Sequence, residues 1–256
     1  MTSLYPASRP TLRSGPRSAL CLAAAILPFS SMAWADEGVV DQAEGLDIEQ
    51  GAIELELQTI YIPASNGDAD VWKIAPTLEY GLSSSLGIGV EIEFEKESGE
   101  SLIFEELGLL AKWVALSPEE APLGLGLQSA LIIDRHGGIG TETYAIAEIT
   151  RAGTGLTANL IYATEPGDWS EDSLSYVLRG DQAFSERFSL GAEAGGELSG
   201  AAKGRHWIGP VVTFAPGRED DTSEGGPLPA IEFALFAPLT RATPDVQFRL
   251  ELDWEF

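Results

Sequence analysis

The chain has 256 residues, with 40 Asp+Glu against 15 Lys+Arg, a formal charge of −25, and a mean hydropathy of +0.03. This acidity excludes a basic surface for DNA or RNA, so no nucleic-acid partner is expected. High charge with near-neutral hydropathy points to a chain that segregates apolar and charged residues onto opposite faces, as a membrane β-barrel does.

Residues 1–35 read as a cleaved secretory signal peptide. Arg9, Arg13 and Arg17 precede an apolar run from Ala19 to Leu27, and Ala33-Trp34-Ala35 fits a small-x-small cleavage site. The run is shorter than the ~20 residues that span a bilayer as a helix. The single cysteine, Cys21, falls inside this segment, so the mature chain is expected to lack disulfides and thiol chemistry. Residues 36–50 read as an acidic N-terminal periplasmic tail. Like charge is expected to keep this tail out of an acidic lumen and disordered.

From residue 51 onward the pattern has period two, the spacing of side chains on alternate faces of a strand. Segments 51–62 and 71–82 set Ile53, Leu55, Leu57, Trp72, Leu78 and Tyr80 against Glu54, Glu56, Lys73 and Glu79. Segment 85–95 alternates Leu86, Ile88, Val90, Ile92 and Phe94 with Gly87, Gly89, Glu91, Glu93 and Glu95. Segments 103–115 and 123–133 continue with Leu107, Leu109 and Trp113 against Glu106 and Lys112, then Leu125, Leu127 and Leu131 against Gly124, Gly126 and Gln128. Segment 142–151 has no clear parity. Segments 155–164, 173–183, 187–198, 205–214 and 230–237 alternate again. Pro76 and Pro210 conflict with an unbroken ladder, so a bulge or strand end is expected near each.

The last segment, 246–256, puts Val246, Phe248, Leu250, Leu252, Trp254 and Phe256 on one face and Gln247, Arg249, Glu251, Asp253 and Glu255 on the other. It is similar to the closing strand of a bacterial outer-membrane barrel. The expected fold is all-β, a transmembrane antiparallel up-and-down barrel of about twelve strands over residues 51–256. Short turns should alternate with longer loops, with both termini at the periplasmic end. Tyr61, Trp72, Tyr80, Trp113, Tyr144, Tyr162, Tyr176 and Trp254 are expected to form interfacial girdles. A periplasmic β-sandwich is the alternative fold.

Within outer-membrane barrels, three pieces resemble the MetA-pathway phenol-degradation family: residues 106–113, residues 156–162, and Thr243-Pro244-Asp245 ahead of the final strand. The resemblance implies passage of small, often hydrophobic molecules across the outer membrane. It also implies that the assembly machinery reads the terminal strand through Trp254 and Phe256.

No catalytic, cofactor or metal site is expected. Outside the leader the histidines are His136, in a loop, and His206, at a strand start. The acidic stretches Asn66-Gly67-Asp68-Ala69-Asp70 and Glu219-Asp220-Asp221 lack calcium-loop spacing. The residues expected to set solute selectivity are the lumen-facing charges Glu54, Glu56, Glu91, Glu93, Glu95, Glu251, Asp253, Glu255, Lys73 and Arg249. Pairing of the first and last strands would gather acids at the seam, with Glu91, Glu93 and Glu95 as a second acidic rail. Lys73 and Arg249 are too few to neutralise them, and carboxylate rails favour cations. The expected function is passive passage of small solutes through a narrow, acidic, cation-preferring lumen in the outer membrane. Its partners would be outer-membrane lipid, the assembly machinery and the solute. The alternatives are a non-conducting structural or surface-interaction barrel and a lipid-modifying enzyme.

Overall fold

The computed structural model describes residues 41–64, 69–215, 228–243 and 246–256, with backbone alone at 168–171. The expected signal peptide, residues 36–40, Asn66 to Asp68, the acidic stretch at 219–221 and Pro244-Asp245 lie outside the described residues.

Twelve strands form: β1 (Ile53–Ile62), β2 (Val71–Ser83), β3 (Leu86–Glu97), β4 (Ile103–Leu116), β5 (Gly124–Asp134), β6 (Ile139–Arg151), β7 (Thr154–Glu165), β8 (Asp168–Ser185), β9 (Phe188–Glu197), β10 (His206–Phe214), β11 (Ala230–Pro238) and β12 (Gln247–Glu255). Each pairs antiparallel with its sequence neighbours, and β1 pairs with β12 to close the barrel. Closure leaves no unpaired strand edge, which is what lipid requires of a spanning sheet. At the end that holds both barrel termini, tight hairpins join β2 to β3, β6 to β7 and β8 to β9, whereas the joins from β4 to β5 (117–123) and from β10 to β11 (215–229) are longer and break the expected alternation of short turns and long loops. In the β6–β7 hairpin, Ala152 and Gly153 take φ of 53° and 79°, the paired positive angles of a type I′ turn.

One parity faces out. Leu78, Ile88, Leu109, Leu131, Leu160, Leu178, Ile208, Phe233 and Leu250 are all exposed, an apolar belt too extensive for a surface in water. Tyr80, Trp72, Trp113 and Tyr162 are exposed on the same face. Tyr144 is not part of a girdle. It faces inward and packs against the buried clusters, and β6 thereby acquires the parity that its sequence leaves open, with Glu142, Tyr144 and Ile146 inside.

The prolines bend the expectation differently from a bulge or a strand end. Register is unbroken past both. Pro76 still pairs with Leu57, but the β2–β3 ladder skips from Ile74↔Phe94 to Thr77↔Glu91. Pro210 pairs with Ala192, and the β10–β11 ladder skips from Ile208↔Ala237 to Val211↔Ala234. A missing N–H removes bonds on one side of the strand only.

The lumen is partly filled. Ile161, Val177, Trp207, Val211, Ala234 and Phe236 form an apolar cluster on the inner wall of β7 to β11. The rings of Trp207 and Phe236 meet edge-on at 4.7 Å. Above Phe236, at 5.1 Å from its ring, sits the Arg249 guanidinium. Arg249 is 1% exposed and donates to Glu193 at 2.8 and 3.0 Å and to Glu232 at 3.0 Å. Arg179 holds the other side of Glu232, at 2.9 and 2.6 Å, and reaches Asp181 at 2.9 Å. These bidentate pairs knot β8, β9, β11 and β12 together across the lumen.

Removing one member of a buried ion pair strands its partner, so Arg249→Gln should destabilise the folded barrel by about 3–5 kcal/mol. Urea unfolding in lipid vesicles checks this. A change within error would mean that water solvates Glu193 and Glu232 in place of the arginine.

Candidate functional site

Residues 41–50 do not hang outside as a tail. They run inside the barrel, and the reason is a turn. Glu49 to Ala52 reverses the chain, with Gly51 at φ 88°, a conformation that L side chains rarely adopt, and with Gly51 N–H donating to Gly81 O at 2.8 Å. The segment before the turn is thereby sent back up the lumen. Its polar groups find partners on opposing walls. Asn159 receives the Glu44 N–H at 2.7 Å and donates to Glu44 O at 3.0 Å, acting as one rung of a ladder. Leu46 N–H donates to Glu148 at 3.1 Å, Ser175 donates to Asp41 at 2.9 Å, and Gln58 bonds Gln42.

Two apolar residues anchor the segment. Leu46 is buried with Val114 and Ile146, and Ile48 packs on the same cluster. Leu46 sits over Gly124 and Gly126. A Cβ at Gly126 would lie 2.5 Å from its Cδ2, and one at Gly124 2.8 Å from its Cδ1. Burying a leucine contributes ~1.5–3 kcal/mol. Like charge fails to exclude the segment because Glu44 meets Lys112 at 3.7 Å, while Asp47 and Glu49 line the open vestibule at the mouth.

Two spaces remain. A vestibule of about 900 Å³ opens at the end with the barrel termini, lined by Asp47, Glu49, Glu119, Glu120, Asp253 and Glu255 among others. Deeper lies a chamber of about 170 Å³ against β1 to β6, lined by Glu44, Glu56, Glu91, Glu93, Glu106, Lys112, Gln128 and Glu142 among others. Glu54 and Glu79 line both spaces and so mark the neck between them.

The charges singled out from sequence divide into three groups. At the seam, Glu54 pairs in register with Glu255, Glu56 with Asp253 and Gln58 with Glu251. On β3, Glu91 accepts from Thr77 at 3.1 Å, but Lys73 holds Glu93 at 2.9 Å and Glu95 at 3.4 Å, so part of that rail is compensated. Arg249 is locked into the knot of Glu193 and Glu232. Trp254 pairs with Leu55, and Phe256 exchanges backbone bonds with Ile53 at 2.9 and 3.2 Å, extending the closing ladder by one residue.

Glu44, Glu79, Glu106, Lys112, Gln128 and Glu142 belong to the site and were not singled out from sequence. Parity carries Glu79, Glu106, Lys112 and Gln128, but none stands in a run of like residues. Lys112 spans the segment and the wall, 3.7 Å from Glu44 and 3.5 Å from Glu79. His136 accepts from Arg135 at 3.1 Å, and His206 lies 3.3 Å from the Tyr176 hydroxyl. Among the described residues no group of three acidic, histidine or cysteine side chains could hold a metal ion.

No protein-family model matches the chain, and no curated protein matches it. Solved structures do. The COG4313 outer membrane channel from Pseudomonas putida F1 aligns over 85% of this chain and 100% of its own, at TM-score 0.57 and 12% identity. The KdgM porin in complex with disordered oligogalacturonate aligns over 80% and 99%, at TM-score 0.55 and 10% identity. The NanC porin aligns over 78% and 97%, at TM-score 0.51 and 8% identity. The chain therefore has the fold of outer-membrane barrels. The narrower likeness to the phenol-degradation barrels finds no support in a family model.

A cysteine at Ala43 tests the path of the segment, because the sequence has no other cysteine than Cys21. In the folded barrel, Ala43→Cys should react slowly with a bulky maleimide and rapidly once the barrel is unfolded. Labelling of the folded protein at the rate of a free peptide would place the segment outside.

Proposed function

We propose that the protein is an outer-membrane channel through which small solutes pass by way of a narrow acidic lumen, with a preference for cations. The observation that carries this reading is the pair of acid-lined spaces meeting at Glu54 and Glu79. Carboxylates lining a constricted, low-dielectric path raise the local concentration of cations and repel anions. The fold shared with the KdgM and NanC porins and the COG4313 channel supports passage as the role and the outer membrane as the location. The KdgM structure contains an oligogalacturonate, a polyanion, and the acidic lumen here argues against a solute of that charge.

A second reading is a non-conducting barrel with a structural or surface role. It is favoured by the occupied lumen: residues 41–49 and the apolar cluster both take up cross-section. Planar-bilayer recording separates the two, since the second reading requires no conductance.

Under a salt gradient the wild-type reversal potential should have the sign of cation preference. Replacing Glu56, Asp253 and Glu255 with Gln, Asn and Gln should move it toward zero. Anion preference in the wild type, or an unmoved potential in the triple variant, would defeat the acidic-lumen reading.

The terminal strand is proposed as the signal read by the assembly machinery. Loss of Phe256 removes one lipid-facing ring, worth ~2–3 kcal/mol of burial, and the two backbone bonds to Ile53 at the end of the ladder, worth ~1 kcal/mol each. Its deletion should therefore lower the amount of protein reaching the outer membrane far more than it lowers the stability of barrels already there. Wild-type levels in outer-membrane fractions would rule the signal out.

A further inference from the structure

Among the described residues, Lys112 is the only basic side chain lining either the chamber or the vestibule. It stands on β4, is 8% exposed, and lies 3.5 Å from Glu79 and 3.7 Å from Glu44. The two carboxylates come from distant parts of the chain. Glu79 is on β2 at the neck, and Glu44 is on the segment inside the barrel.

The contact with Glu79 depends on a gap in β3. Glu79 pairs with Gly89 on one edge of that strand, and Lys112 pairs with Gly87 on the other. The carboxylate therefore has to cross β3 to reach the ammonium. Gly89 lets it cross: a Cβ there would lie 2.9 Å from the Glu79 Cγ.

Glu44 and Glu79, with the ammonium between them, leave one net negative charge, and without the lysine they would leave two. Glu54 adds the same charge to the neck in either case. The attraction of a cation to such a site grows in proportion to its own charge. The cost of stripping its water grows with the square of that charge, and is already several kcal/mol for a unit ion in a protein interior. A weakly charged site therefore favours monovalent cations, because it cannot offset the desolvation of a divalent one. A more strongly charged site reverses the order and holds the divalent ion.

We propose that Lys112 sets the valence selectivity of the neck: seated between Glu44 and Glu79, it keeps divalent cations off those carboxylates and leaves the path to monovalent ones. The proposal rests on reading the lumen as a solute path, and it names the class of cation that uses it. A lysine that only tethers residues 41–50 through Glu44 would give no particular response to valence.

The test uses the purified protein in planar bilayers and in detergent. With potassium chloride on one side and calcium chloride on the other, the wild-type reversal potential should report potassium as more permeant by about tenfold or more. Lys112→Met should lower that ratio and make the potassium current sensitive to block by calcium. Calorimetric titration at low salt should show its calcium affinity raised about tenfold, equivalent to ~1.4 kcal/mol. Lys112→Arg, which keeps the charge, should retain the weaker calcium binding. Adding Glu79→Gln to Lys112→Met restores one net negative charge and should abolish the gain. A wild type that passes calcium as readily as potassium, a Lys112→Met protein with unchanged calcium affinity, or a gain that survives the added Glu79→Gln would each overturn the proposal. The wild-type potential keeps it open to refutation if Lys112→Met does not fold. A barrel that carries no current but gains calcium affinity on losing Lys112 sinks the channel reading and leaves the effect of the lysine standing. A conducting barrel whose calcium response ignores Lys112 sinks the proposal alone.

Discussion

Closure of the sheet between β1 and β12 is the constraint on which the rest of the structure depends. In lipid no backbone N–H or C=O can go without a partner, so the first strand must meet the last. That pairing fixes which side chains point outward along every strand, because register propagates around the ring. It also brings Glu54 and Glu56 against Glu255 and Asp253, an arrangement with no local reason in either strand. The acids at the seam are thus a consequence of barrel closure acting on two polar faces that are each tolerable alone.

Twelve strands set a second problem. Barrels of about eight strands are filled by their own side chains, and those of about sixteen enclose a water channel. Here the interior is divided. The walls of β7 to β11 are packed by Trp207, Phe236 and their neighbours, and by the arginine knot of Arg179 and Arg249. The walls of β1 to β6 keep most of their carboxylates facing open space. Charge is treated differently in the two halves for one physical reason. Where packing excludes water, Glu193 and Glu232 are each held in two-point contact by a guanidinium, since an unpaired buried charge is costly to the fold. Where space remains, water can solvate the acids and pairing is incomplete.

The outward face was legible in the sequence because lipid imposes one requirement on every outward residue. Strict alternation in 85–95 and 246–256 therefore gave parity, strand and register together, and the seam pairing of Glu54 and Glu56 followed from closure. The inward face has no such common demand. A lumen position can be an acid, a glycine, a tryptophan or an arginine according to what lies across from it, so the inward orientation of Tyr144 and Trp207 depends on partners far away in the chain. Residues 41–50 were obscured by their own composition. Their acidity was averaged into a tail, although Leu46 and Ile48 alternate and Gly51 follows at a turn. The lumen glycines held the matching half of the signal: Gly124 and Gly126 form the shallow place that Leu46 fills, and neither half can be recognised without the other.

Lys112 joins the segment to the neck between the two spaces. Its ammonium lies between Glu44 on the segment and Glu79 at the neck, so one charge contributes both to seating residues 41–50 and to screening the neck. Binding equilibria that share a group are coupled, and the coupling is reciprocal. A cation that draws Glu79 away from Lys112 leaves the lysine to Glu44 alone, which strengthens the hold on the segment. A cation that draws Glu44 away weakens it. The two carboxylates thus give opposite signs to the same event. Glu79 faces the vestibule as well as the chamber, whereas Glu44 lines only the chamber, so a cation arriving from the vestibule meets Glu79 first. On this geometry a cation held at the neck would tighten the segment, and only one held in the chamber would loosen it.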